Sequence, residues 1–158
     1  MQSSGKPLAF HLVHCNVATM RGESHQAVMA GFFERLDALN ALADRSPGFV
    51  WRLDSEEQEV LAARIFDNDR LLVNLSVWET LEALEHYVYR TAHADALRQR
   101  AAWFEPSARA SLALWWIPAG HTPDVEEAKA RFDKLWANGP TPDAFGFRRR
   151  FDPGGNPL

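Results

Sequence analysis

Cysteine is almost absent from this chain: Cys15 is the single one among 158 residues, so no internal disulfide can form. Free thiols are typical of reducing compartments, whereas small secreted domains are often rich in disulfides. No apolar run approaches the roughly 20 residues that cross a bilayer, and the start, MQSSGKPLAFHLVHCNVA, lacks the apolar core and cleavage pattern of a signal peptide. We therefore expect a cytoplasmic protein that contacts no membrane.

Several functional motifs are missing as well. The formal net charge is −4 and the basic run Arg148-Arg149-Arg150 is short, so nucleic acid is not an expected partner. The chain has no Gly-rich phosphate loop, no paired-carboxylate motif, no CxxC and no G-x-S-x-G turn. His86 and His93 lie on one predicted helix but roughly 10 Å apart along its axis, too far to chelate one ion. We expect no self-contained metal site.

The sequence is rich in large apolar side chains. Six tryptophans and ten phenylalanines supply bulk that must be buried, and 158 residues suffice for one real core. We expect a single domain over residues 1–158, with its core at about 8–118 and a C-terminal extension at about 119–151.

The order of the predicted elements defines a fold class. Apolar periodicity and turn residues predict these elements: strand Leu8–Val17, helix His25–Ala43, strand Phe49–Leu53, a further strand at Val60–Phe66, strand Leu71–Trp78, a helix from the Thr80 cap to about Trp103, strand Ser111–Ile117, helix Asp124–Asn138 and an edge strand Ala144–Arg149. Strand, helix, strand, strand, helix, strand is the split βαβ order of a ferredoxin-like α+β fold with an antiparallel sheet.

The strand at Ser111–Ile117 is apolar on both of its faces. In this fold both core helices pack on one face of the sheet, and the opposite face is normally wet. Something must therefore cover the second face. We expect a homodimer in which the two sheets close on each other, as in a dimeric α/β barrel. The alternative is that the C-terminal extension folds back over the sheet.

The segment Leu71–Ala94 holds the densest set of candidate site residues. Strand alternation places Asn74, Ser76 and Trp78 on one face, directly before a helix capped by Thr80. That helix carries four further polar or aromatic candidates: His86, Tyr87, Arg90 and His93. Imidazole can move a proton near neutral pH or ligate heme, amides can orient a carbonyl or oxygen, and arginine can meet an anionic ligand. We expect a pocket wall here.

Four blocks of the chain resemble a known family. They are NALADRSPGFVWRL (Asn40–Leu53), FDNDRLLVNLSVWE (Phe66–Glu79), LALWWIPAGHTPDVEEA (Leu112–Ala128) and GPTPDAFGFRR (Gly139–Arg149). Together they are similar to the bacterial family catalogued as domain of unknown function 3291. That resemblance implies a place in the dimeric α/β-barrel superfamily, which includes antibiotic-biosynthesis-type and heme-degrading monooxygenases, chlorite dismutases, dye-decolourising peroxidases and cyclases.

The superfamily resemblance also implies roles for particular residues. The run SVWETLEALEHYVYRTAH is similar to the strand-to-helix segment of the two monooxygenase groups. Their strand asparagine, helix aromatic and, in the heme group, later histidine correspond here to Asn16, Tyr87 in place of the usual tryptophan, and His93. The implied function is a small monooxygenase-like oxidoreductase acting on an aromatic or polyketide-type molecule.

Two questions stay open at this point. The cofactor is either none or heme, and in the heme form His93 is the axial ligand rather than the base. In either form His86, Asn16 and Asn74 are further catalytic candidates, while the pocket residues are Trp78, Tyr87, Arg90 and Ser76. The alternative functions are a non-catalytic dimeric small-molecule-binding protein, or an isomerase or cyclase that uses the same cavity.

Overall fold

The computed structural model describes residues 9–158, so the predicted strand start at Leu8 lies outside the described residues. The elements in chain order are β1 (Phe10–Thr19), α1 (Ala27–Asp44), β2 (Phe49–Arg52), α2 (Glu56–Ile65), β3 (Leu71–Trp78), α3 (Leu81–Arg90), α4 (Ala92–Arg98), a 3-10 turn (Arg100–Ala102), β4 (Leu112–Pro118) and α5 (Val125–Asn138). Three helix caps are local in origin: Ser55, Thr80 and Asp124 each accept a hydrogen bond from a backbone N–H in the first turn of the following helix.

The four strands form one antiparallel sheet in the order β2-β3-β1-β4. The longest strand, β1, is central and pairs with β3 on one side and β4 on the other. This is the ferredoxin-like arrangement, and the predicted α+β fold class is confirmed.

The predicted strand at Val60–Phe66 is wrong, because the chain is helical from Glu56 to Ile65. Two local features explain the difference. The Ser55 hydroxyl caps the helix by accepting from the N–H of Gln58 at 3.2 Å, and three carboxylates in the first turn complement the helix dipole. The acidic residues Glu56, Glu57 and Glu59 therefore form the start of a helix.

The sheet face opposite α1 and α3 is covered by α2 and α5 of the same chain. Trp115 of β4 is fully buried on this face, and its indole N–H donates to the Glu127 carboxylate of α5 at 2.8 Å. The expectation that a second copy covers this face is thus corrected in favour of the alternative, a folded-back C-terminal extension. Homodimerisation itself stays a prediction, but an uncovered apolar sheet face no longer supports it.

The predicted edge strand Ala144–Arg149 is reduced to one bridge. Phe145 exchanges both backbone hydrogen bonds with Leu114 of β4, at 2.8 and 2.9 Å, and the pairing continues no further. The chain then crosses to the α3 side, where Phe145, Phe147 and Phe151 pack beside Trp116. The extension therefore contributes to both faces of the sheet, with α5 on one and residues 145–151 on the other.

Candidate functional site

Two polar pairs lie side by side on the α3-facing side of the sheet. His14 of β1 stands directly opposite Ser76 of β3, and the next same-face pair is Asn16 opposite Asn74. Burial falls along this row: His14 and Ser76 are buried, Asn16 is half-buried and Asn74 is exposed. The row therefore runs from the core toward an accessible end at the two asparagines.

Ser76 connects its neighbours through hydrogen bonds. The indole N–H of Trp78 donates to the Ser76 hydroxyl oxygen at 3.0 Å, and the same oxygen lies 3.4 Å from Nδ1 of His14. Because an indole N–H can only donate, the Ser76 oxygen accepts from Trp78, while the direction of its hydrogen bond with His14 depends on the imidazole tautomer. The three side chains form a short buried relay.

Trp78 also begins an aromatic column that ends at a histidine. Its ring stacks on Tyr87 of α3 at 5.1 Å between centroids, with 30° between the planes. The Tyr87 ring in turn lies 4.9 Å from the imidazole of His93 in α4, and its hydroxyl donates to the backbone carbonyl of Leu39 in α1 at 3.1 Å. The column joins the sheet to three helices.

A break in the second core helix positions His93. The predicted helix to about Trp103 is interrupted at Thr91, whose backbone is extended, so that α3 ends at Arg90 and α4 begins at Ala92. The Thr91 hydroxyl donates to the Tyr87 carbonyl and accepts from the backbone N–H of His93. The Thr91 hydroxyl thus stabilises the helix break. The break places the His93 ring against the Tyr87 ring.

Both site histidines are held in the neutral form. Burial is the main cause that lowers the pKa of His14 to about 3, and repulsion from His93, when that ring is protonated, acts in the same direction. Burial also lowers the pKa of His93, although the hydrogen bond to the Val88 carbonyl acts in the opposite direction. That bond, at 3.3 Å, requires Nδ1 of His93 to carry the proton, because a carbonyl can only accept. Neutral His93 therefore keeps a lone pair on Nε2.

The Tyr87 phenol does not lose its proton near neutral pH. Burial is the main reason that its pKa rises to about 12, with Asp44 adding to the effect and Arg52 opposing it. Its phenol therefore stays protonated, and its ring serves as a wall of the site.

The structure separates the sequence-predicted candidates into two groups. Asn16, Asn74, Ser76, Trp78, Tyr87 and His93 belong to the polar row or the aromatic column described above. His86 and Arg90 instead lie on the exposed side of α3, away from the sheet. Their positions follow from helix rotation, since Tyr87 and Val88 of the same turn face the core.

His14 is the site residue that sequence reasoning missed. Strand alternation alone puts it on the same face as Asn16. Its importance depends on the register between β1 and β3, which sets it opposite Ser76. The sequence shows a histidine in the middle of a strand, on an apolar face. It does not show that Ser76 is its neighbour, because that depends on the strand pairing.

Nε2 of His93 is the atom that a heme iron would take as its ligand. The hydrogen bond from Nδ1 to a backbone carbonyl would suit an axial ligand. Tyr87 and Trp78 are buried, and the Tyr87 ring lies against the His93 imidazole. Two open surface cavities of about 360 Å³ each lie elsewhere, one at residues 51–58 and 122–124 and the other between residues 108–112 and 135–146.

Within residues 9–158, no helix combines the length and apolarity needed to cross a membrane. Over the same residues, no three histidine, cysteine or carboxylate side chains come together as a metal-binding group.

The fold and the site together define a ferredoxin-like α+β protein with a buried histidine and serine pair and an aromatic column under its second core helix. The chain belongs to the family described as Domain of unknown function (DUF3291), whose model matches residues 11–157. No curated protein is significantly similar to it.

Solved structures resemble this chain in fold at low sequence identity. The cofactor-independent oxygenase SnoaB of Streptomyces nogalater is 20% identical, with a TM-score of 0.45 over 72% of this chain and 97% of that one. The monooxygenase of ActVA-Orf6 from Streptomyces coelicolor, in complex with nanaomycin D, is 13% identical with a TM-score of 0.39, over 73% and 91%. A protein of unknown function from Nitrosomonas europaea is 8% identical with a TM-score of 0.46, over 74% and 96%. At these values the likeness concerns the fold and not the chemistry.

Proposed function

We propose that this chain is a small cytoplasmic, monooxygenase-like oxidoreductase that oxidises an aromatic or polyketide-type molecule without a cofactor. His93 carries this proposal. Its neutral imidazole keeps a lone pair on Nε2 and stands at the end of the column formed by Trp78 and Tyr87. A base beside stacked rings suits a flat, electron-rich substrate with an acidic C–H bond.

The chemistry needs only a base, molecular oxygen and an acidic substrate. His93 Nε2 takes a proton from a CH₂ group that is joined to a ketone through an aromatic ring, and the electron pair of that C–H bond passes through the ring to the ketone oxygen as an enolate. The enolate reduces oxygen to a carbon-bound peroxide, His93 returns the proton to its outer oxygen, and the hydroperoxide loses water to leave a carbonyl. The balance is CH₂ plus O₂ giving C=O plus H₂O.

We assign the two strand asparagines to the entrance of this site. Asn16 is half-buried and Asn74 exposed, next to the buried His14 and Ser76 pair on the same face. Their amides can donate to a substrate carbonyl and accept from a hydroxyl, so they suit the polar edge of a quinone-like molecule. Arg90 and His86 have no part in this proposal, because both side chains face away from the sheet.

The test is oxygen uptake by the purified protein with anthrone, a tricyclic aromatic ketone with an acidic CH₂ group. Uptake of one O₂ per anthrone, with ¹⁸O from labelled oxygen recovered in the new carbonyl, is the expected result. His93→Gln should lose this activity, because its amide is not a base, while an exposed-histidine variant, His25→Ala, should retain it.

Three results would contradict the proposal. Binding of anthrone without oxygen uptake would favour a non-catalytic small-molecule-binding protein. A rearranged product of unchanged oxidation level would favour an isomerase or cyclase. An unchanged rate in His93→Gln would remove histidine from the reaction.

A further inference from the structure

We propose that the surface cavity between residues 108–112 and the end of α5 binds a small organic acid, with Arg109 holding the carboxylate and an apolar wall holding the rest of the molecule. The cavity measures about 360 Å³, near the lower end of the volumes of small-molecule sites in proteins. It shares no residue with the polar row or the aromatic column, so this site goes beyond the proposed oxidation and does not depend on it.

The wall of the cavity is apolar. Ala110 and Leu112 contribute to it from the loop and the start of β4, and Leu135 and Pro140 from the end of α5. Among the described residues that line the cavity, Arg109 carries the only charge. The lining therefore suits an apolar body and contains no carboxylate that would repel an anion.

A tryptophan fixes the loop that carries Arg109. The indole N–H of Trp136 in α5 donates to the Ala110 carbonyl at 2.9 Å. The indole ring also packs against Phe132, with 5.4 Å between the ring centroids, and meets Phe66 edge-on at 6.3 Å. The loop is thus joined to α5 next to Arg109 before any ligand binds, which lowers the entropy lost on binding.

Arg109 has hydrogen-bond donors available for a ligand. Its guanidinium carbon lies over the Trp136 ring, 3.6 Å from the centroid. Contact through the flat face leaves the N–H groups at the edge of a guanidinium free. Within residues 9–158 these N–H groups make no ion pair, whereas Arg52 and Arg70 each meet a carboxylate. The edge of Arg109 can therefore donate two parallel hydrogen bonds to a carboxylate.

The charges around the cavity orient the ligand. Helix α5 ends at Asn138, and the last carbonyl groups of a helix carry partial negative charge. A carboxylate is repelled at that end and attracted by Arg109 in the loop. The apolar body then lies against Leu135 and Pro140. This arrangement selects a compact monocarboxylic acid with a flat or short apolar body, such as an aryl carboxylic acid.

Gly146 gives a way to close the cavity without disturbing the fold. It lines the cavity, and apart from its chain neighbours no heavy atom lies within 4 Å of the position that a Cβ would take. Its φ angle is not in the left-handed region, unlike that of Gly139. A larger side chain at position 146 should therefore fill the cavity rather than clash with the protein.

The site is tested by titrating the ¹⁵N-labelled full chain with 2-naphthoate and following the backbone amide signals by NMR. Saturable shifts of the Ala110 and Gly146 signals are expected, because these residues lie on the cavity wall. The uncharged 2-naphthamide has almost the same shape. It should bind about tenfold more weakly, because it cannot accept charge-assisted hydrogen bonds from Arg109.

Three variants separate the charge from the apolar wall. Arg109→Gln should weaken 2-naphthoate about tenfold and leave the affinity for 2-naphthamide nearly unchanged. Gly146→Leu should remove the binding of both compounds. Arg45→Gln alters an exposed arginine at the end of α1 and is the matched control, with the wild-type affinity expected for both compounds.

Several outcomes would overturn this site. They are equal wild-type affinities for the acid and the amide, an unchanged affinity for the acid in Arg109→Gln, shifts confined to the signals of Tyr87 and His93, and a wild-type dissociation constant above about 10 mM. If Gly146→Leu does not fold, the affinities of the wild type and Arg109→Gln for the two compounds decide the question. None of these measurements involves oxygen uptake, so their failure leaves the proposed function intact.

Discussion

The imidazole of His93 lies 4.9 Å from the ring of Tyr87, although in one continuous helix the two side chains would be turned about 120° apart. The interruption at Thr91 makes the contact, because it ends α3 and starts α4 in a new direction. A helix break therefore builds the candidate site.

Thr91→Ala should weaken the site through geometry. The Thr91 hydroxyl caps α4 and bonds the Tyr87 carbonyl, and loss of a cap typically costs about 1 kcal/mol of folding stability. We expect that loss in denaturant unfolding, together with a larger fall in kcat than in anthrone binding. Thr91→Ser, which keeps the hydroxyl, should behave like the wild type. Equal activity of both variants would show that the break is held by packing alone.

The two α3–α4 histidines should differ in their effects. His93→Ala removes a half-buried base next to Tyr87 and should abolish oxygen uptake while the circular dichroism spectrum stays native. His86→Ala alters an exposed side chain and should change the rate by less than about twofold, since exposed substitutions seldom matter. If instead the His86 variant were inactive and the His93 variant normal, the assignment of the site to the sheet side of α3 would be wrong.

Asn74→Leu should affect ligand binding without affecting stability. Asn74 is exposed at the accessible end of the polar row, so the free energy of unfolding should change by less than about 0.5 kcal/mol. Anthrone affinity, measured by tryptophan fluorescence quenching, should fall. Asn138→Leu, at the exposed end of α5, is the control for an added apolar side chain. A lower melting temperature with unchanged affinity would mark Asn74 as structural.

Trp115→Asp should unfold the protein rather than split a dimer. Trp115 is fully buried between β4 and α5 and bonded to Glu127, and an unpaired carboxylate placed there costs several kcal/mol. Sedimentation of the remaining folded fraction should give the wild-type mass. A stable variant of half the wild-type mass would show that α5 leaves this face and that a second copy covers it.

Acid should destabilise the fold through the buried histidines. Burial lowers the folded-state pKa of His14 from 6.5 to about 3, so between these values the unfolded chain binds a proton that the folded chain does not. Stability is therefore complete above about pH 6.5 and decreases as the pH falls, by roughly 1 kcal/mol per pH unit for one such group. Urea unfolding at about pH 7 and about pH 5 should show a steeper loss for the wild type than for His14→Gln. Parallel losses would mean that His14 is protonated in the folded protein.

The sequence by itself determined the fold class and much of the site's composition. Strand alternation assigned Asn74, Ser76 and Trp78 to one face and predicted β3 with its observed bounds, and the Thr80 cap predicted the start of α3. These features depend on neighbours a few residues away, so local chemistry is sufficient to predict them.

Only the tertiary structure decided how those residues meet. The pairing of His14 with Ser76 depends on the β1 to β3 register between segments 62 positions apart, and a shift of one residue would turn His14 to the other face. The choice between α5 and a second copy as the cover of the sheet likewise depends on long-range packing. Contacts of this kind depend on how the whole chain buries its apolar surface. Apolar periodicity predicts that a sheet face must be covered, but it does not predict which element covers it.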